Sequence, residues 1–143
     1  MITWKEIQSA AKFGETEVAT GYFARLKNYI KLDYEPVAIC GGSPFWYKRL
    51  EYKKLAPKRE FFYQWKDGKI DNDEYVKQYH EQVLGELDPK KVIEELRNEI
   101  KSDKIVLLCY EKPFDFCHRH IISHWLSNET DLTVNELDYK IGE

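Results

Sequence analysis

The chain has 143 residues, 43% of them hydrophobic and 33% charged, with only 7 glycines and 5 prolines. This length fits one domain, and the composition is that of a packed globule rather than a disordered chain. The net charge of −3 argues against an obligate nucleic-acid coat protein, because non-specific binding to phosphate backbones needs a basic surface. We therefore expect one domain over residues 1–143.

The N-terminus, the apolar runs and the cysteines together favour a cytoplasmic protein. Met1 to Glu6 shows no basic region followed by an apolar run, so no secretory signal is expected. The longest apolar run, Ile105–Cys109, is far shorter than a membrane span. The three cysteines are an odd count without disulfide-framework spacing, which predicts reduced thiols.

The first third of the chain predicts short elements. Thr3 and Glu6 form a capping box that starts an N-terminal helix. Glu17–Thr20 indicates a short strand, and Gly21–Tyr29 indicates a helix or helical turn. The apolar run Val37–Cys40 is ended by two glycines, which is typical of a buried strand.

Helices and strands alternate in the rest of the chain. Helices are predicted at 59–66, from a cap at Asp71 or Asn72 to Leu87, from a cap at Asp88 with Pro89 first, and at 116–128. Ile105–Cys109 predicts a strand covered on both faces, and 132–137 a last strand. This order predicts a three-layer α/β domain of the Rossmann or flavodoxin type. Its short, mainly parallel sheet carries helices on both faces, with Val37–Cys40 and Ile105–Cys109 as neighbouring parallel strands.

The clearest candidate site follows the strand Ile105–Cys109. Alternation along a strand puts Cys109 and Glu111 on the same side at its carboxyl end, where ligand sites form in open α/β sheets. The next helix begins near Cys117, with Asp115 as its expected cap, so backbone N–H donors face the same crevice. A thiol at that position has its thiolate favoured by the helix dipole.

Helical arithmetic sorts the basic residues of that helix. At about 100° per residue, His118 points inward with the apolar stripe and Arg119 lies at its edge. His120 and His124 fall on the opposite side, which predicts that they face solvent.

These positions predict an acid–base pair, Glu111 and His118, a nucleophile, Cys117, and an anion-binding Arg119. Structural alternatives remain open for each of them. His118 is otherwise a hydrogen-bonded core histidine, Glu111 and Arg119 a buried ion pair that braces the loop, and Cys109 a packed thiol.

The sequence contains two sets of candidate metal ligands, and neither has the spacing or number of ligands that favours a metal site. Cys109, Cys117 and His118, with His80, would give zinc ligands, but the spacing of the cysteines is not that of a structural zinc module. His120 and His124 have no evident third ligand. We expect no metal and no cofactor.

The pattern Cys109-x-Glu111, then Cys117-His118-Arg119 five residues later, resembles the C-x-E…C-H-R motif of the uncharacterised bacterial family DUF488. Further segments resemble one branch of that family, and the similarity covers roughly Val18 to Leu137. These segments are 20–23, 41–44, 46–47, 55–57, Tyr75 and Tyr79. The pair Gly41-Gly42 departs from relatives, which often carry Arg-Gly there. The resemblance adds Tyr22, Gly42, Tyr47 and Cys109 as ligand-binding candidates, and implies no established reaction.

Two functional hypotheses follow. The first is a small-molecule site, catalytic or purely ligand-binding, for an anionic, phosphate-bearing or nucleotide-like ligand. The second is a non-catalytic module that binds nucleic acid or protein through the stretch Lys48–Arg59, where six basic residues accompany one acid. That stretch is otherwise a solvated loop or a lid, and the aromatic cluster Phe61–Trp65 is interpreted as core.

Overall fold

The computed structural model describes residues 2–137. Its centre is a parallel five-stranded sheet of order β3-β2-β4-β1-β5. The strands are β1 (Val18–Tyr22), β2 (Glu35–Ala38), β3 (Leu50–Glu51), β4 (Ile105–Cys109) and β5 (Asn135–Glu136). The helices are α1 (Trp4–Ala10), α2 (Leu26–Lys31), α3 (Arg59–Lys66), α4 (Asn72–Gln82), α5 (Pro89–Glu99) and α6 (His118–Glu129). The predicted α/β fold class is confirmed.

Strand β4 lies in the middle of the sheet, hydrogen-bonded to β1 on one side and β2 on the other. All five of its residues are buried, which explains why the strand is a continuous apolar run. Leu107 lies opposite both Val37 of β2 and Thr20 of β1. The predicted parallel pairing of the two apolar strands is therefore confirmed.

Alternate side chains of β4 pack into two separate cores, as period-two geometry requires. Ile105 and Leu107 face the larger core, formed with α1 and α3 to α6. Val106 and Leu108 face the smaller one, where Tyr29 of α2 covers the sheet. The sheet is thus the middle layer of three. Within residues 2–137, no helix combines the length and the apolar character that crossing a membrane requires.

Several helices and strands begin or end at other residues than predicted. Gly21 and Tyr22 belong to β1 rather than to a helix, because parallel pairing with β4 extends to Cys109. A 3-10 turn, Phe23–Arg25, then leads into α2, and the stretch interpreted as irregular contains β3. Three further elements are shorter than predicted at one or both ends. Strand β2 ends at Ala38, α4 ends at Gln82 before a 3-10 turn over Leu84–Glu86, and β5 is only two residues long.

The strand order creates a crevice beside β4. After β2 the chain moves outward to β3, whereas after β4 it moves the other way, past β1, to β5. The connections that leave the carboxyl ends of neighbouring strands β2 and β4 therefore diverge. Such a switch point leaves a cleft between the two strand ends, and it is where α/β sheets bind ligands.

The contact between Gly21 and Tyr29 gives a test of the smaller core. A Cβ atom at Gly21 would lie 2.6 Å from the Tyr29 ring. We expect Gly21→Ala to lower the free energy of unfolding by about 1–3 kcal/mol, because overpacking forces the ring to move. Urea unfolding measures the loss. Gly41→Ala is the control, because nothing lies within 4 Å of its added Cβ. Equal stability of the two variants would contradict the close packing.

Candidate active site

A cavity of about 450 Å³ opens at the carboxyl ends of β2 and β4. Its polar side is formed by Cys40, Cys109, Glu111, Cys117 and His118. Its aromatic side is formed by Phe62, Tyr63, Trp65, Tyr75, Tyr110 and Phe116, and Arg59 is the cation on its wall within residues 2–137. The volume lies in the range that holds a small organic ligand.

Two elements deliver the polar groups. Strand β4 ends at Cys109 and Glu111 follows, so both side chains point toward the cavity as predicted. Helix α6 begins directly after Cys117, which occupies the cap position in place of the predicted Asp115 and makes no side-chain capping hydrogen bond. Of the five residues predicted to cluster at the strand ends, Cys109, Glu111, Cys117 and His118 line the cavity, and Arg119 does not.

His118 connects the two strand ends. Its Nε2 lies 2.7 Å from the carbonyl oxygen of Ile39, directly after β2. Since a carbonyl oxygen only accepts hydrogen bonds, Nε2 carries the proton and donates it. The other ring nitrogen, Nδ1, faces two thiols, 3.8 Å from Sγ of Cys109 and 3.9 Å from Sγ of Cys117. The ring itself packs against Tyr79.

The electrostatics separate Cys117 from Cys109. Burial alone raises the pKa of the Cys117 thiol, but a hydrogen bond from Cys109, the charge of Arg119 and contact with His118 hold that pKa well below its usual range. Burial likewise lowers the pKa of His118, and the interaction with Cys117 outweighs it and raises the pKa. Hydrogen bonds to Cys117 and Cys40 raise the pKa of the Cys109 thiol. Cys117 and His118 thus favour a thiolate–imidazolium pair.

Glu111 is the carboxyl group of the cluster. Burial, followed by the negative charge of Cys117, raises its pKa above the ordinary value. The thiol of Cys109 donates to its Oε2 over 3.5 Å. A carboxyl group whose pKa is raised in this way is better suited to donate a proton than an ordinary carboxyl group.

Arg119 does not reach the cavity, contrary to the predicted anion-binding role. Its side chain is fully buried and forms a two-pronged ion pair with Glu136 of β5, with Nε to Oε1 at 3.0 Å and Nη2 to Oε2 at 2.8 Å. Thr20 of β1 also donates to Glu136. The partner is therefore Glu136 and not Glu111, the partner considered from the sequence. Two of the three guanidinium nitrogens are held by Glu136, and the third, Nη1, is buried without a hydrogen-bond partner among residues 2–137. Since Arg119 is 0% exposed and does not line the cavity, its fork is not open to a ligand there.

The predicted exposure of His120 is also wrong. His120 is 5% exposed because α1 covers the first turn of α6, where the Trp4 ring lies 5.9 Å from the imidazole. His124, predicted to face solvent, is half-buried and sits near Asn128. A two-sided helical projection cannot anticipate a helix that is covered by a second helix as well as by a sheet.

Only some of the remaining predicted ligand-binding residues line the cavity. Gly42 and Cys109 line the cavity, whereas Tyr22 and Tyr47 do not. The hydroxyl of Tyr47 donates to the carbonyl of Leu50 over 2.6 Å, so this residue holds the chain after β2 against β3.

Sequence reasoning did not assign Cys40, Trp65 or Phe116 to the site, and it considered Arg59 only as the end of the possible lid Lys48–Arg59. Cys40 lies directly before the two glycines that end a predicted strand, and that position was an available signal. The aromatic cluster interpreted as core is buried in the core at Phe61, and Phe62 and Trp65 pack against that core half-buried. Phe62, Tyr63 and Trp65 also line the cavity. Helix α3 turns one side to the core and the adjacent side to the cavity, so its residue types alone did not separate the two roles.

The family model described as the active DUF488-N3 subclade, DUF488-N3a, matches residues 23–130. The chain belongs to the DUF488 family. The matched segment contains every polar residue of the cavity, from Cys40 to His118, and ends before Glu136. No curated protein and no solved structure matches the chain.

The buried ion pair predicts a large loss of stability when one partner is removed. We expect Arg119→Met to lower the free energy of unfolding by about 3–5 kcal/mol, because Glu136 is left buried and unpaired. Chemical denaturation measures this loss. The matched control is Lys54→Met in the exposed pair with Glu95, for which a loss below about 1 kcal/mol is expected. Equal losses would contradict a stabilising role for the buried pair.

Proposed function

We propose that this protein is an enzyme in which the Cys117 thiolate attacks a small anionic, nucleotide-like molecule bound in the cavity. The observation that carries the proposal is the position of His118. Its protonated Nε2 is fixed on the carbonyl of Ile39, and its Nδ1 faces the Cys117 thiol at 3.9 Å. A nucleophile, a base and a group that orients the base are the minimum arrangement for covalent thiol catalysis.

Each polar residue has a distinct role in this proposal. His118 takes the thiol proton of Cys117 and stabilises the resulting thiolate. Glu111 then donates a proton to the group that leaves when the sulfur–substrate bond forms. As a carboxylate it afterwards activates the water that releases the product and restores the thiol. The description of the matched subclade as active is compatible with a catalytic role.

The cavity walls support a planar, negatively charged substrate. Six aromatic side chains line the cavity, and aromatic faces bind planar rings by stacking. Arg59 supplies the positive charge, and its guanidinium lies 6.0 Å from the centre of the Tyr63 ring. We therefore assign the anion contact to Arg59 rather than to the enclosed Arg119.

The second hypothesis, a binding module for nucleic acid or protein that uses residues 48–59, has weaker support. Three of the basic residues in this stretch face carboxylates of the same chain: Arg49 with Glu35, Lys53 with Glu51, and Lys54 with Glu95. Paired charges leave less positive potential for a phosphate backbone. A cytoplasmic location is part of the first proposal, because its thiols must stay reduced.

The nucleophile is tested with iodoacetamide followed by peptide mass spectrometry on the full chain. We expect Cys117 to be alkylated faster than Cys109. His118→Gln should slow the alkylation of Cys117 at least about tenfold, since an unassisted thiol is only a few per cent thiolate at neutral pH. His124→Gln, on the outer part of the same helix, is the control. Unchanged alkylation of Cys117 in His118→Gln would exclude His118 as its base.

The substrate class is tested by quenching of Trp65 fluorescence with nucleoside monophosphates, and inorganic phosphate serves as the comparison. Quenching by the nucleotides should be lost in Trp65→Phe. Arg59→Ala should weaken binding roughly 10–100-fold, because a charge-assisted contact contributes about 1.5–3 kcal/mol. Lys58→Ala is the control, since Lys58 is exposed and absent from the cavity wall. Equal weakening in both variants would show that only overall charge matters.

A further inference from the structure

The fold brings three soft donor atoms to one point of the cavity floor. They are Sγ of Cys109, Sγ of Cys117 and Nδ1 of His118, which all lie within 4.8 Å of one another. We propose that these three atoms bind a soft divalent cation such as Zn²⁺, with the fourth coordination position open to the cavity. This proposal replaces the expectation of no metal, which was based on the spacing of the cysteines in the sequence.

The separations suit tetrahedral coordination. Zinc–sulfur and zinc–nitrogen bonds of about 2.3 and 2.0–2.1 Å imply a sulfur-to-nitrogen separation of about 3.6 Å at the tetrahedral angle. In the structure Nδ1 of His118 lies 3.8 Å from one sulfur and 3.9 Å from the other. The imidazole therefore has to move only a few tenths of an ångström relative to each thiol. The two sulfurs lie within 4.8 Å of each other and must approach to about 3.8 Å for the same geometry.

The histidine has the support that a metal-binding imidazole needs. Its Nε2 donates to the carbonyl of Ile39 over 2.7 Å, so the proton is on Nε2 and Nδ1 offers a lone pair to the cavity floor. Most metal-bound histidines are oriented by such a hydrogen bond to a backbone carbonyl or carboxylate. Two sulfurs and one imidazole favour zinc over the oxygen-preferring magnesium and calcium ions.

The cavity leaves the fourth position to water or a ligand. Cys109, Cys117 and His118 all line the cavity wall, so an ion among them faces open space. Three protein ligands with one open position are typical of zinc sites that exchange ligands, whereas four protein ligands close a structural site. On binding, the thiols coordinate as thiolates and their protons pass to solvent.

Metal binding does not depend on the proposed catalysis. Inhibition by the bound metal does, and this inference rests on the proposed function. Coordination draws electron density from the Cys117 sulfur and places the ion beside the atom that attacks the substrate. An occupied site therefore reacts more slowly with electrophiles, and zinc becomes a reversible inhibitor of the thiol chemistry.

Cobalt titration of the reduced, untagged full-length chain tests the site directly. We expect one equivalent of Co²⁺ to give the visible bands of tetrahedral cobalt together with sulfur-to-cobalt charge transfer. Cys109→Ser, Cys117→Ser and His118→Gln should each weaken binding by more than about tenfold, since even loss of a group that only orients a ligand costs 10–100-fold. Cys40→Ser and His124→Gln should retain it. Retention in Cys117→Ser, or loss in Cys40→Ser, would overturn the assignment of these three ligands.

A second measurement needs no variant and therefore avoids any failure to fold. One equivalent of Zn²⁺ should protect Cys109 and Cys117 of the wild-type chain from iodoacetamide while Cys40 stays reactive, as read by peptide mass spectrometry. Equal alkylation with and without Zn²⁺ would overturn metal binding and leave the catalytic proposal standing. If the chain binds zinc but its metal-free Cys117 does not react with iodoacetamide, the catalytic proposal is overturned and metal binding stands.

Discussion

The arrangement of the site depends on the buried ion pair between Arg119 and Glu136. Arg119 is on the first turn of α6, and Glu136 is on the edge strand β5, where Thr20 of the neighbouring strand β1 also holds it. Both charged side chains are removed from solvent. Two desolvated charges are costly unless each meets the other in good geometry, so the pair tolerates few positions of α6 relative to the sheet.

That constraint sets the rotation of α6 about its axis. With Arg119 turned toward β5, the residues before it turn toward the ends of β2 and β4, where Cys117 and His118 meet Cys109. The side chain of Arg119 then acts on the site through its field, since its charge lowers the pKa of Cys117 although Arg119 does not itself line the cavity. We infer that the last residue of the C-H-R motif positions and polarises the first two.

The same geometry serves the two chemistries proposed for the cavity. An imidazole whose Nε2 is fixed by a carbonyl presents one basic nitrogen, and that nitrogen either accepts a thiol proton or coordinates an ion. Which occurs depends on whether a cation competes for the sulfurs. The hydrogen bond to Ile39 makes both possible, because it removes the alternative in which Nδ1 carries the proton.

Local sequence patterns determined the elements and the region of the site. The continuous apolar run Ile105–Cys109 predicted the central strand, and alternation predicted that Cys109 and Glu111 share a side. These features depend on neighbours within a few residues, so the sequence carries them. The candidate residues Cys109, Glu111, Cys117 and His118, which line the cavity, were predicted in this way.

Only the tertiary structure decided the partners of those residues. Glu136 as the partner of Arg119, Ile39 as the acceptor for His118, and Arg59 in place of Arg119 on the cavity wall all involve residues far apart in sequence. Burial of His120 under α1 is of the same kind. Such contacts depend on strand order and on helix rotation, which are set by the packing of the whole domain and leave no periodic signal in a short stretch of sequence.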